Sequence, residues 1–125
     1  MKTKVFLGIQ IIVGLMLVVF GLNNFLHFMP NPPVAQEMGE YMGALYNTGY
    51  MFPLVGAIEF LAGLSFVINK YTPLMAVVAI PVMLNAVLAH VFLDPAGVAT
   101  SAIILLFIFA VIFKNKTSYA LLFKA

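Results

Sequence analysis

Four apolar runs, each near the length that crosses a bilayer, constrain this chain more than any other feature. They cover residues 5–28, 50–68, 73–93 and 95–113, and about 20 residues at a rise of about 1.5 Å each span a hydrocarbon core. Charged residues make up 8% of the chain, hydrophobic residues 64%, and the mean hydropathy is +1.12. A soluble domain carries about a quarter charged residues, so water is the wrong solvent for this surface. The pattern predicts an all-α integral membrane protein: a four-transmembrane-helix bundle, with residues 1–125 forming one membrane domain in a lipid bilayer.

The first run follows Lys2 and Lys4 and resembles the start of a secretory signal. Its length exceeds the roughly 7–15 apolar residues of a signal core, and no small-x-small cleavage site follows, so it reads as a first span. Pro30, Pro32 and Pro33 lie just beyond it and are expected to stop the helix. Thr72-Pro73 and Asp94-Pro95 each read as an N-cap side chain followed by proline at the first helical position, where its missing N–H costs nothing. Between the first two spans, Val34, Met38, Tyr41, Met42 and Leu45 recur at helical spacing opposite Gln36, Glu37, Glu40 and Asn47. That pattern predicts a short amphipathic helix over residues 34–48 lying in the membrane interface.

All six basic residues are lysines, at positions 2, 4, 70, 114, 116 and 124. With four spans, every one falls on the same side, which the positive-inside rule assigns to the cytoplasm together with both termini. Glu37, Glu40 and Asp94 fall on the other side. The lysines form no basic stripe, so nucleic acid has no electrostatic footing. The absence of cysteine excludes disulfides, dithiol redox chemistry and thiolate metal sites. Two histidines on separate helices provide no metal-ligand spacing.

Polar residues inside the spans carry the remaining information. Glu59 lies about nine residues into the second span, roughly 14 Å below its outer end by helical rise. An ionisable group at that depth costs about 2.5–3.5 kcal/mol on insertion scales, so it faces a bundle interior or a wet cavity. Gly56 and Gly63 share its helical face and let a neighbour approach. In the first span, Gln10, Gly14, Leu17, Gly21, Asn24 and Phe28 form one stripe with His27 at its border. In the third, Pro81 stands four residues before Asn85 and is expected to bend the helix and free a carbonyl near Val77. Asn24, His27, Glu59, Asn85 and His90 all belong to the middle or outer half, which predicts one polar pocket opening away from the cytoplasm. Each has a plainer reading. Glu59 can bridge helices, Asn24 and Asn85 can serve as interhelical hydrogen-bond glue, the histidines can be interfacial side chains, and Asp94 can be a helix cap alone.

The segments "GLNNFLHFMPNPP" and "GYMFPLVGAIEFLAGLSFVINKYTPLMAVVAIPVMLNAVLAHVFLDPAG" resemble the DoxX family of small bacterial membrane proteins over nearly the whole chain. The resemblance implies a four-helix bundle in the bacterial inner membrane. Its pattern falls on Glu59, Asn85, His90, Asp94 and Pro95. It also implies a link to quinone reduction, since some members are membrane subunits of quinone-linked oxidoreductases. Related sequences place a lysine in the stretch occupied here by Asn23 and Asn24, as "GLNKF", and losing that cation removes a partner for Glu59.

Three functions compete on these residues. A lipophile-binding component, with a quinone or another lipid as ligand, requires an apolar pocket with a few converging polar groups. No cofactor is demanded by the residues, and with no haem ligands or nucleotide motif any electron transfer needs a partner protein, so the chain is not expected to be an enzyme on its own. A noncatalytic assembly factor, bound to another membrane protein or to a second copy, requires a packed interior and an exposed small-residue face. A small proton-coupled transporter requires Glu59 as its proton carrier.

Overall fold

A computed structural model describes residues 2–28 and 34–124. Five α-helices follow one another: α1 (Lys2–Leu26), α2 (Gln36–Asn47), α3 (Met51–Ile68), α4 (Thr72–Leu93) and α5 (Val98–Lys114). A 3₁₀ turn, Pro95–Gly97, leads into α5, and a 3₁₀ segment, Lys116–Phe123, follows it. Helices α1, α3 and α4, and α5 with its leading turn, are long and apolar enough to cross a membrane. Helices suit that setting because each satisfies its backbone hydrogen bonds internally, where lipid offers no partner.

The protein is an all-α, multi-pass membrane bundle built from two tightly packed pairs. Helix α1 lies along α3, α4 lies along α5, and contact between α3 and α4 joins the pairs. The first pair is a glycine seam. A Cβ on Gly14 would stand 2.7 Å from the Gly63 carbonyl oxygen, and one on Gly21 would stand 2.6 Å from Phe60 N. Only hydrogen at these positions permits backbones to touch, which in lipid replaces the hydrophobic drive as the source of helix association. Leu17, Ala62, Phe66, Ala76, Ile104, Ile108 and Val111 fill the core between the pairs.

The lysine-bearing end is tied by polar contacts that cross the helices. Gln10 is 2% exposed, and its Nε2 donates to the Phe66 carbonyl at 3.0 Å and to Asn69 Oδ1 at 3.0 Å. This converts a polar intrusion in α1 into a cap for the last turn of α3. Asn69 and Tyr71 take left-handed conformations, φ 56° and 59°, and Ser65 Oγ donates to the Lys70 carbonyl. Tyr119 reaches back from the C-terminal segment to donate to the Pro73 carbonyl at 2.7 Å. Burial pushes its phenol above the usual tyrosine pKa, so it remains a donor. The Lys114 ammonium lies 4.2 Å from the Phe6 ring centre, a cation–π contact between the ends of α5 and α1.

Several boundaries differ from the sequence expectation. The first helix ends at Leu26, and His27 beyond it is left-handed, φ 50°; the proline stop at residues 29–33 lies outside the described residues. The interfacial helix is shorter, Gln36–Asn47. Thr72 is no N-cap: Tyr71 holds that place without a side-chain cap bond, and Thr72 Oγ1 turns back to Asn69 Oδ1 at 3.4 Å. Pro73 nonetheless sits in the first turn, and α4 continues through Pro81 as one element. Asp94 makes no side-chain cap bond either. Its Oδ2 accepts from the Ala35 N–H at 3.3 Å, fastening the start of α2 to the end of α4, and Pro95 opens the 3₁₀ turn, with α5 starting at Val98.

The seam predicts that Gly21→Leu lowers stability by about 1–3 kcal/mol, the range of overpacking in close-packed cores. Gly8→Leu, where an added Cβ meets nothing within 4 Å, is expected to leave it unchanged. Thermal unfolding of the two variants in detergent, read by circular dichroism, checks this; equal midpoints would contradict the seam.

Candidate functional site

Between the two helix pairs lies a cavity of ≈ 700 Å³ lined by residues of all four spans and of α2. Its walls are mostly apolar: Met38, Met42, Met51 and Met83 line it together with Phe20, Phe52, Val55, Ile58 and Ile104. Thioethers are flexible and polarizable, and rings add rigid apolar area, so the wall combines adaptable and rigid apolar surface. Helix α2 covers one side. It is held by the buried Met38, by the Asp94–Ala35 contact and by the Tyr41–Asn85 contact described below.

Glu59 projects into this space from the middle of α3. Asn24 Nδ2 donates to Glu59 Oε1 at 2.9 Å and to the Phe20 carbonyl at 3.1 Å, so both amide hydrogens of Asn24 are engaged. The Gly21/Gly56 contact allows this reach: a Cβ on Gly56 would stand 2.8 Å from Asn24 Cβ. Asn24 thus meets Glu59 at the stretch where the resemblance led to the expectation of a lysine. The carboxyl has a neutral donor as its partner.

A second polar group forms on α4. Asn85 Nδ2 donates to the Tyr41 hydroxyl oxygen at 2.9 Å, which leaves the phenol hydrogen available. His90, one to two turns further along the same helix, lies over Gly97, where a Cβ would stand 2.5 Å from Nδ1. That nitrogen is buried without a hydrogen-bond partner among the described residues. Thr100 and Ser101 complete the lining from α5, and Ser101 Oγ donates to the Val98 carbonyl at 3.1 Å.

Of the residues singled out from sequence, Asn24, Glu59, Asn85 and His90 therefore share one cavity, and Pro81 lines it too. His27 stands apart. Because α1 ends before it, its ring turns to Tyr46 and Phe52, with centroids 6.1 and 6.3 Å away, and it is exposed. Asp94, Pro95, Thr72 and Pro73 shape helix ends. Tyr41 was legible only as an apolar-face residue of α2, since helical spacing reveals a face and not a phenol's partner. Thr100 and Ser101 carried no signal within so apolar a run. Among the described residues no group of three His, Cys, Asp or Glu side chains is placed to hold a metal ion.

A family model, DoxX, matches residues 5–94, the stretch that carries α1 to α4 and supplies most of the cavity wall. No curated protein and no solved structure matches the chain.

The Asn24–Glu59 contact predicts a coupling energy of about 0.6–2 kcal/mol, the range for hydrogen bonds between membrane helices. A double-mutant cycle with Asn24→Leu, Glu59→Leu and the pair, by unfolding in mixed micelles, measures it. Additive effects would show that the two side chains do not interact.

Proposed function

The chain belongs to the DoxX family, and from that premise we propose that it is a lipophile-binding membrane protein whose ligand occupies the cavity around Glu59. The observation that carries this reading is the cavity itself. Its volume of ≈ 700 Å³ falls within the roughly 300–1,000 Å³ of small-molecule sites, and it combines an apolar lining with a few polar groups. The tail of such a ligand rests among the Met and Phe side chains. Its head group meets Glu59 and Asn24 on one wall and Asn85, Tyr41 and His90 on the other.

An assembly factor that presents small residues to a partner gains less support. Gly14, Gly21, Gly56 and Gly63 are consumed by the α1–α3 seam, where each is buried. In the proposed orientation the lysine-bearing end and both termini face the cytoplasm, the protein resides in a bacterial inner membrane, and the cavity belongs to the outer half. The whole chain acts as one membrane domain. A quinone is one candidate ligand, and with it a redox partner in the same membrane supplies the electron transfer that this chain's own side chains do not.

Gentle purification followed by mass spectrometry of the co-purified small molecules tests the reading. A discrete lipophile enriched over bulk lipid is expected with the unaltered chain, falling several-fold with Glu59→Gln. Equal amounts of bulk lipid alone from both preparations would remove the support for binding.

A further inference from the structure

Glu59 Oε1 is engaged by Asn24, but Oε2 has no hydrogen-bond partner among the described residues, nor is it among the atoms sealed from contact. Since Glu59 lines the cavity, this oxygen is the acceptor that the cavity offers to an incoming head group. The Asn24 amide has no hydrogen left for it, because both are in use. A ligand that carries its own donor satisfies Oε2 directly.

Charge narrows the class. Among the described residues no lysine lines the cavity, and Glu59 is the one acidic side chain that does, with His90 the other titratable group. A carboxylate in low dielectric without a countercharge is costly, and a cation placed beside it recovers more than a neutral donor does. Aromatic rings line the same cavity. Phe52 lies seven residues before Glu59, two helical turns along one face of α3, and Phe20 lies one turn before Asn24 on α1; both line the cavity. Tyr41 adds a third ring from α2. Ring faces attract ammonium groups, so the aromatic and carboxylate groups select the same kind of head group.

The geometry points to a lipophilic ammonium as the ligand: an amine cation that donates N–H to Glu59 Oε2 in a cavity that Phe20, Tyr41 and Phe52 also line, with its apolar tail against the Met-lined wall. This deepens the proposed function and rests on it, because it presumes that the cavity takes a lipophile. An ammonium of this kind is provided either by a free alkylamine or by the head group of a phosphatidylethanolamine.

Three probes of one chain length separate charge from apolar fit: dodecylamine, cationic at neutral pH, dodecanol, and dodecanoate. Radiolabelled probe binding is measured by scintillation proximity on the full chain in phosphatidylcholine nanodiscs, against empty discs. Saturable dodecylamine binding is expected, weakened at least tenfold by Glu59→Gln, with dodecanol at least tenfold weaker and dodecanoate unbound. Ala89→Phe, which fills the cavity from α4, should abolish binding while a retained unfolding midpoint shows that the bundle is intact. Replacing half the lipid by phosphatidylethanolamine distinguishes the two sources: lost dodecylamine binding identifies the lipid head group, and retained binding identifies a free amine, either outcome upholding the ammonium. Dodecanol binding as tightly as dodecylamine, with Ala89→Phe abolishing both, would overturn the cationic ligand while leaving the lipophile cavity standing. Saturable binding of none of the three would overturn the ammonium, and the mass spectrometry of co-purified molecules then decides separately whether any lipophile is held.

Discussion

A carboxyl group surrounded by hydrocarbon has no water to turn to, and the hydrogen bond from Asn24 to Glu59 Oε1 at 2.9 Å is the contact around which the part of this bundle away from the lysine-bearing end is arranged. It requires α1 and α3 to approach at backbone distance. That approach in turn requires glycine at positions 21 and 56, since an added Cβ on either would collide with the facing helix. The seam, the buried amide and the half-satisfied carboxyl are therefore one construction. Helix association in lipid depends on such close packing and on interhelical hydrogen bonds, because the surrounding tails are as apolar as the side chains.

The two ends of the bundle treat polar groups differently. At the lysine-bearing end, Gln10, Asn69, Ser65 and Tyr119 spend their hydrogen bonds on the carbonyls and side chains of neighbouring helix ends, which closes that end. Toward the other end, Glu59, Asn85, Tyr41 and His90 line a cavity of ≈ 700 Å³, and among the described residues His90 Nδ1 is buried without a hydrogen-bond partner. Buried polar atoms without partners are uncommon in folded proteins. The contrast within one small chain is what directs the proposed binding role to this end.

Much of this was legible in the sequence, and the physical reasons are uneven. The four spans declare themselves because hydrocarbon tolerates only long runs of apolar residues, and the inward stripe Gln10–Gly14–Leu17–Gly21–Asn24 follows from helical periodicity alone, although its last expected member, Phe28, lies past the end of α1 and is exposed. Helix ends were less legible because tertiary partners override local capping rules. Thr72 turns to Asn69 and Asp94 to Ala35, contacts that join residues far apart in the chain or across a left-handed reversal. His27 left the predicted pocket because α1 stops one residue before it, and a left-handed residue at a helix end redirects the side chain. Tyr41 entered the site through α2, whose pattern specifies a buried face but not which atom lies opposite Asn85. Asn24, where the resemblance implied a lysine, suggested a lost partner for Glu59, yet an amide of suitable reach bridges to the carboxyl without a charge.

The most direct test is a distance. Solid-state NMR of the chain in lipid bilayers, with ¹³C at the Glu59 carboxyl and ¹⁵N at the Asn24 side chain, reads their through-space coupling. A strong dipolar correlation, as the heavy-atom hydrogen bond demands, is the expected result. A Glu59 carboxyl that shows no contact with Asn24 and instead correlates with lipid acyl-chain protons would contradict the account at its base.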